Sequence, residues 1–468
     1  MNLKITLRSS KNLFDLFHKR QFIYYTSTNR AGGAVRFEDG ILWRILAAAR
    51  NSKGKENQVH EQVSANQANP APGQAGTRAV AISMYCVLLA SYAVNAADRQ
   101  LFPLLAHDVR QQYGFSLADT GLLTTIFTLG LAMAGLPTGY LLARFPRKTV
   151  LLLGIGIFST GTALIVFSTG FTDMLVYLLS TGIGEAMQLT VMIAIAANYF
   201  VGYRAAAIGS MNVFFGVGAF SGPILGSFFL TAYRTWRAPM IIFGLAGYVM
   251  IVAIALTVRP WFTETRRAAD ARTDLSGAPT LLNRNTILLT ALSVLGGLVL
   301  YGFTGMYPTF LREGLHYSPK QAGVVASFYG AGALLSIAGG WLGDRFSPRV
   351  VLSAAFFAIA GLGYLCFHGT GSIARQAILT CAYGAIGSGT IYVNLAGYHV
   401  KAVRSSLASR ASGMFVTSLY ATAAGAGYLM GGIAGHAGWA VAGEIQISLL
   451  GVIAGGLSLA LRPEQMAL

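Results

Sequence analysis

The chain has 468 residues, 54% of them hydrophobic and only 11% charged, well below the charged share of about 25% in soluble domains. That composition excludes a water-soluble surface, and the formal net charge of +17 has to be read by position before it is taken for affinity to a polyanion. From residue 79 onward the apolar residues form runs of roughly 18 to 28, each long enough to cross about 30 Å of hydrocarbon as a helix. Short strictly alternating segments, the mark of a membrane barrel, are absent.

In chain order, residues 1–78 come first and read as a cytoplasmic tail. The stretch from Phe37 to Arg50, FEDGILWRILAAAR, has the pattern of an amphipathic helix lying on a membrane surface, and the polar run from Asn51 to Arg78 that of a disordered linker. The alternative is a start read too far upstream, so that this tail is never made. Residues 1–30 lack an uninterrupted apolar core, so no cleavable signal peptide is expected. Six spans follow at 79–106, 119–142, 148–169, 173–200, 206–231 and 237–258. A cytoplasmic loop occupies 259–285, and six more spans fall at 286–309, 322–342, 350–368, 374–398, 408–431 and 440–461, before a short C-terminus at 462–468. The two halves, 79–258 and 286–461, are each expected to form a six-helix bundle.

With both termini in the cytoplasm, 27 of the 34 Lys and Arg residues fall on that side, 12 of them in the tail, and 7 on the other. Without the tail the split is still 15 to 7, the excess of positive charge that cytoplasmic loops carry. The basic balance is therefore accounted for by the membrane, and a nucleic-acid partner is excluded. Cys86, Cys366 and Cys381 all lie in apolar runs, where a thiol behaves as a small hydrophobe, so no disulfide framework or thiol metal site is implied.

The halves resemble each other. GYLLARFPRK (Gly139 to Lys148) follows the second span and GWLGDRFSPR (Gly340 to Arg349) the eighth, an offset of 201; GIGEA in the fourth span matches GAIGSG in the tenth, with Gly184 and Gly387 offset by 203. Correspondences in one order at a nearly constant offset indicate internal duplication, the plan of transporters that bind substrate between two halves near the midplane.

On these residues the chain resembles the major facilitator superfamily. The family's loop signature is kept in the second copy at Gly340, Asp344, Arg345 and Arg349. The first copy keeps Gly139, Arg144, Arg147 and Lys148 but has Ala143 for the Asp and Pro146 for the Gly. The resemblance implies a gating role for these residues, with a carboxylate facing a helix N-terminus, where the helix dipole favours negative charge. Within the superfamily, Asn95, Asp98 and Arg99 in the first span and Gly182, Gly184 and Glu185 in the fourth resemble the anion:cation symporters and the Spinster-like transporters. That resemblance implies Glu185 and Asp98 as proton-coupling sites and Arg99 as the contact for an anionic substrate. A second Arg of the symporters falls on Leu178, a departure that argues against a doubly clamped dicarboxylate or acidic sugar. Gly209, Gly218, Gly222, Pro223 and Gly226 match an antiporter pattern, with Ser227 for its last Gly; close helix packing is the preferred reading of them.

Glu185 is the one ionisable residue deep in an apolar span, where a charge costs at least a few kcal/mol and usually faces a cavity or a partner. Thr181, Glu185 and Gln188 share a helix face that Leu178 continues. The rival reading is a protonated, hydrogen-bonded core acid. Asp98 and Arg99 are either cavity residues or an interfacial pair ending the first helix near Pro103. Tyr301, Phe303, Tyr307 and Phe310 are either a substrate wall or an interfacial belt. In the tenth span Tyr392, Asn394 and Tyr398, with His399 beyond them, either face the substrate or bind helices together. No metal-ligand histidine pair and no HExxH, GxSxG or Walker pattern occurs, so neither an enzyme nor a metal or other cofactor is expected.

The reading is an all-α membrane protein of twelve transmembrane helices in two pseudo-symmetric six-helix bundles. It is expected to be a secondary active transporter taking up a small organic anion with protons by alternating access, with Arg99, Asn95, Gln188, Tyr301, Tyr307 and Asn394 binding substrate. The alternative is a proton-antiport exporter of lipid-like or drug-like amphiphiles. The expected setting is a bacterial inner membrane, with the lipid bilayer, substrate and protons as partners and the protein a monomer.

Overall fold

A computed structural model of the chain describes residues 72–200, 203–264, 277–368 and 371–467. The surface helix and most of the linker expected in the tail lie outside the described residues, as does the middle of the central loop. One unit runs from Gly76 to Leu468 and is almost wholly helical.

The first half consists of α1 (Pro72–Tyr113), α2a (Leu117–Thr125), α2b (Phe127–Arg144), α3 (Arg147–Leu164), α4 (Phe171–Tyr199), α5 (Arg204–Tyr233) and α6 (Arg237–Thr257). In the second half α7 (Arg284–Glu313), α8a (Pro319–Ala333), α8b (Ser336–Arg345) and α9 (Pro348–Phe367) come first. Then come α10 (Ile373–Lys401) and α11 (Ala408–Ala437), and finally α12 (Trp439–Ser458). Among the described residues, eleven helices are long and apolar enough to cross a membrane. α11 is 30 residues long, but its Ala, Gly and hydroxyl content leaves it less apolar than these eleven.

Four features depart from the expected spans. α1 runs on to Tyr113 instead of stopping near 106. Pro103 lies inside it and takes away the N–H that the Arg99 carbonyl would accept in a regular helix; membrane helices tolerate this where the freed group faces a cavity. α2 breaks at Ile126 and α8 at Leu334–Leu335, where the Leu335 N–H reaches back only three residues, to the Gly332 carbonyl at 3.0 Å. α10 and α12 each contain a π turn, Gly387–Tyr392 and Gly443–Leu449, a local widening that recurs at functional sites.

Burial differs between the halves. In the first half the apolar core is split into two clusters. One packs around Leu88, Val150, Met187 and Phe262 and the other around Leu101, Ile165, Leu178 and Trp236. The buried polar residues Asn95, Asp98, Arg99, Thr181, Glu185 and Gln188 lie on α1 and α4 around the changeover from one cluster to the other. The second half has one continuous core that takes in Leu300, Phe303, Tyr307, Phe356 and Tyr383. A polar layer thus interrupts one bundle at mid-height and is backed by an apolar one.

The terminal face carries the start of α1, the end of α6, the start of α7 and the end of α12. The bonds that join the halves lie toward the opposite, far face. There, α1 meets α7 through Arg110 and Glu313 at 2.8 Å, His107 and Glu313 at 3.0 Å, and Arg312 and Asp108 at 3.2 Å. Gly121 of α2a and Gly427 of α11 sit so close that a Cβ on either would strike the other's carbonyl. Beside them the Thr125 hydroxyl donates to the Ala424 carbonyl at 2.8 Å and accepts from the Gly427 N–H at 3.2 Å. α5 and α8a pack in the same way, Gly323 against Ser227 and Gly330 against Phe220. Small residues that let backbones meet are how helices associate in lipid, where no hydrophobic force separates protein from tails.

Candidate functional site

The polar layer is built from one face of α1 and one of α4. Tyr92, Asn95 and Arg99 are spaced by 3 and 4 on α1, and Thr181, Glu185 and Gln188 by 4 and 3 on α4, so each trio projects to one side. The Asn95 amide donates to Gln188 Oε1 at 2.9 Å, and the Gln188 amide donates to the Ser91 hydroxyl at 3.0 Å. One turn further, Arg99 Nε lies 3.0 Å from Glu185 Oε2, with side chains 5% and 2% exposed. That contact is an ion pair off the hydrogen-bonding axis: among the described residues neither Arg99 Nε nor Nη2, nor Glu185 Oε2, has a hydrogen-bond partner. Asp98 does not pair with Arg99. Its Oδ2 accepts from the Thr162 hydroxyl of α3 at 2.7 Å, while Oδ1 has no partner among the described residues. With both residues far from the end of α1, the capping of a helix end does not describe them.

Two cavities meet at Arg99. A small one, about 20 Å³, is lined by Asp98, Thr162, Leu178, Thr181 and Glu185 on the side of the first half. The larger, about 260 Å³, lies between the halves. Arg99, Pro103, Thr124 and Phe127 line both. Five tyrosines, Tyr92, Tyr301, Tyr329, Tyr392 and Tyr420, make much of the larger wall. Tyr392 and Tyr420 share a hydroxyl contact of 2.9 Å, and the Tyr301 ring sits 5.9 Å from that of Tyr420 and 6.3 Å from that of Phe127. Leu178 borders the small cavity beside Glu185, so an apolar side chain stands where the symporter pattern has its second Arg.

Of the residues expected to contact substrate, Arg99 and Tyr301 line the larger cavity; Asn95, Gln188, Tyr307 and Asn394 do not. Asn95 and Gln188 tie α1 to α4. Tyr307 is fully buried inside the second half, stacked on Phe303 at 4.3 Å and donating to Gln376 Oε1 at 2.7 Å. Phe303 and Phe310 are buried in the same core, which removes the interfacial belt for these three. Asn394 donates to the carbonyls of Gly339 and Thr390, each at 2.9 Å, and so holds α10 against α8b. Sequence reasoning missed Tyr92, Tyr329, Tyr420, Ser336 and Ser388 on the cavity wall. Tyr92 was readable from its spacing to Asn95 and Arg99; the other four reach the cavity only through the packing of the second half.

A family model described as Major Facilitator Superfamily matches residues 88–428. The chain belongs to that superfamily. Among curated proteins it is 25% identical over 382 residues to the gallate transporter of Pseudomonas putida, covering 75% of this chain and 81% of the relative. It is 24% identical over 378 residues to the 4-hydroxybenzoate transporter PcaK of the same organism, covering 72% and 80%. Protein spinster of Drosophila melanogaster is 27% identical over 241 residues, 50% of this chain and 39% of that protein. The fold is shared with a bacterial Spinster homologue in its inward-facing, unoccupied conformation, at a TM-score of 0.61 and 18% identity over 81% of this chain and 95% of that one. It is shared as well with the nucleoside transporter NupG, at 0.65 and 12% over 82% and 100%. The protein is a multi-pass membrane transporter and not an enzyme, as its superfamily and named relatives are transporters.

The two copies of the superfamily's loop signature sit at the terminal face. The first lacks its carboxylate, and Glu264 from the central loop stands in, accepting from the backbone N–H of Arg147 and Lys148 at 3.0 and 3.1 Å at the start of α3. Asp344 of the second copy instead pairs with Lys401 of α10 at 2.8 Å. Lys148 donates to the carbonyls of Ala255 and Val258 at the end of α6, and Arg349 to the Leu461 carbonyl beyond α12. These are the same position of the repeat, each placing a cation where a helix dipole ends. Arg144 covers the Tyr140 ring at 4.3 Å, Arg345 is exposed, and Gly139 and Gly340 have open space beside them, with only Val393 at 3.8 Å from a Cβ on Gly340.

Proposed function

We propose that the protein takes up a small organic anion together with protons, using Arg99 as the contact for the substrate carboxylate and Glu185, with Asp98, as the proton-coupling pair. The observation that carries this is the buried Arg99–Glu185 pair at the junction of the two cavities. Two carboxyls and one guanidinium share the layer, so it is electrically neutral only with one proton bound, and an uncompensated charge is costly there. With Glu185 ionised, Arg99 is engaged by it. Protonation of Glu185 removes that competitor and leaves the guanidinium for a substrate carboxylate. A bound carboxylate leaves the layer with a net negative charge unless Asp98 takes a second proton, so substrate binding favours the doubly protonated layer, which is the requirement for symport, since a ligand acts only through its different affinity for two states.

The far face is where the halves are bonded together, and the charge asymmetry of the loops supports a cytoplasmic terminal face, the orientation in which this conformation is inward-open. A cavity of about 260 Å³ walled by tyrosines suits a flat carboxylate of benzoate size, in keeping with the named substrates of the Pseudomonas relatives. A second reading, export of an amphiphile, draws on Leu178 and on the partial likeness to protein spinster. Counterflow in proteoliposomes separates the two: preloaded 4-hydroxybenzoate or gallate should drive uptake of labelled benzoate-type anions, while lysophosphatidylcholine should not exchange. Exchange of the lysolipid without any of the carboxylates would reverse the assignment.

A further inference from the structure

The second half contributes an irregular site of its own. α8 breaks at Leu334–Leu335, and α8b restarts at Ser336 as a ten-residue helix with no side-chain cap at Leu335. The first N–H groups of any helix lack partners within it, and the dipole there is positive. Ser336 lines the larger cavity and is 6% exposed, yet its hydroxyl has no hydrogen-bond partner among the described residues. Facing the break is the π turn of α10, whose Ser388 and Tyr392 line the same cavity. The two packed irregularities touch: a Cβ on Gly389 would lie 3.4 Å from the Ser336 nitrogen. Non-helical backbone at membrane depth persists where it is buried in protein or borders a cavity, and here Ser336, Ser388 and Tyr392 border one.

The geometry points to a second anchor for substrate, in which Ser336 and the N-terminus of α8b bind an oxygen acceptor, a hydroxyl or a second carboxylate, at the end of the anion away from Arg99. This rests on the anion reading above and deepens it: the preferred substrate carries oxygen at both ends of a short rigid body. The lost second guanidinium at Leu178 is then replaced by a helix terminus on the opposite wall, so each half holds one end of the substrate, and a ligand gripped from both sides couples its binding to their relative motion.

The test uses purified full-length protein in nanodiscs and three probes of one shape: benzoate, 4-hydroxybenzoate and terephthalate. At least one of the two-ended probes should bind about tenfold more tightly than benzoate, the scale of one charge-assisted hydrogen bond, and which of them does tells a hydroxyl from a carboxylate. Ser336→Ala should shrink that preference severalfold, lowering affinity for the two-ended probe more than for benzoate. Leu335→Asn supplies the missing cap, which stabilises a helix, and by occupying the N–H groups it should abolish the preference without loss of folding. Benzoate binding with no preference for either two-ended probe, or a preference that survives both substitutions, overturns the second anchor and leaves the Arg99 reading standing. Binding of none of the three overturns both.

Discussion

Arg99 sits where three demands converge: it neutralises Glu185, borders the small cavity beside Asp98, and lines the space between the halves. Lysine keeps the charge but not the planar fork that can hold a carboxylate by two parallel bonds. Arg99→Lys should therefore weaken binding of 4-hydroxybenzoate about tenfold, the scale of one charge-assisted hydrogen bond, with expression and thermal stability close to the parent; equilibrium binding in nanodiscs reads this directly. An undiminished affinity would mean that the anion is held elsewhere. The charged residues of this site were legible because ionisable side chains are rare in apolar spans and therefore stand out. The partners were not. That Arg99 pairs with Glu185 and Asp98 with Thr162 depends on how α1, α3 and α4 rotate against each other; Asn95 and Gln188 read as substrate contacts by helix face, Tyr307 and Asn394 by residue type, and the structure places all four in contacts between helices.

Among the elements, the spans themselves were plain from their length and apolarity. Their irregularities were not. Pro103 supported the rival reading of an end to the first helix nearby, but the helix passes through it where Arg99 and Pro103 line both cavities. The breaks in α2 and α8 and the π turn in α10 have no distinctive composition, since Gly and Ser serve close packing just as often. The far-face seam shows that second use. The Gly121–Gly427 approach exists only while the halves are closed there, so overpacking it should penalise that state alone. Gly427→Leu is expected to cost the inward-open state about 1–3 kcal/mol, a shift of roughly 5- to 150-fold in the ratio of conformations. A single cysteine at Thr304, on the cavity wall, with Cys86, Cys366 and Cys381 replaced by serine, should then react faster with an impermeant maleimide added from outside. Unchanged labelling would show that the seam is not a gate.

Across the whole molecule, duplication was visible in the repeat of the loop signature, and the structure shows what that repeat does: Lys148 and Arg349 each close off the last helix of their own half. The same comparison exposes the asymmetry that function requires. The first half places its charges in a polar layer, the second offers aromatic rings, hydroxyls and an uncapped helix, and the cavity lies between. Coupling then requires that one carboxyl report its protonation to the guanidinium that holds the substrate. The most direct measurement is accumulation of labelled 4-hydroxybenzoate in proteoliposomes under an imposed pH gradient, compared with counterflow in the same vesicles, for the parent protein and Glu185→Gln. Glutamine mimics the protonated acid in shape, so the substituted protein should retain counterflow and lose gradient-driven accumulation altogether. Accumulation against the gradient at the parent level in Glu185→Gln would contradict the account, leaving Glu185 as a structural residue and placing the proton elsewhere.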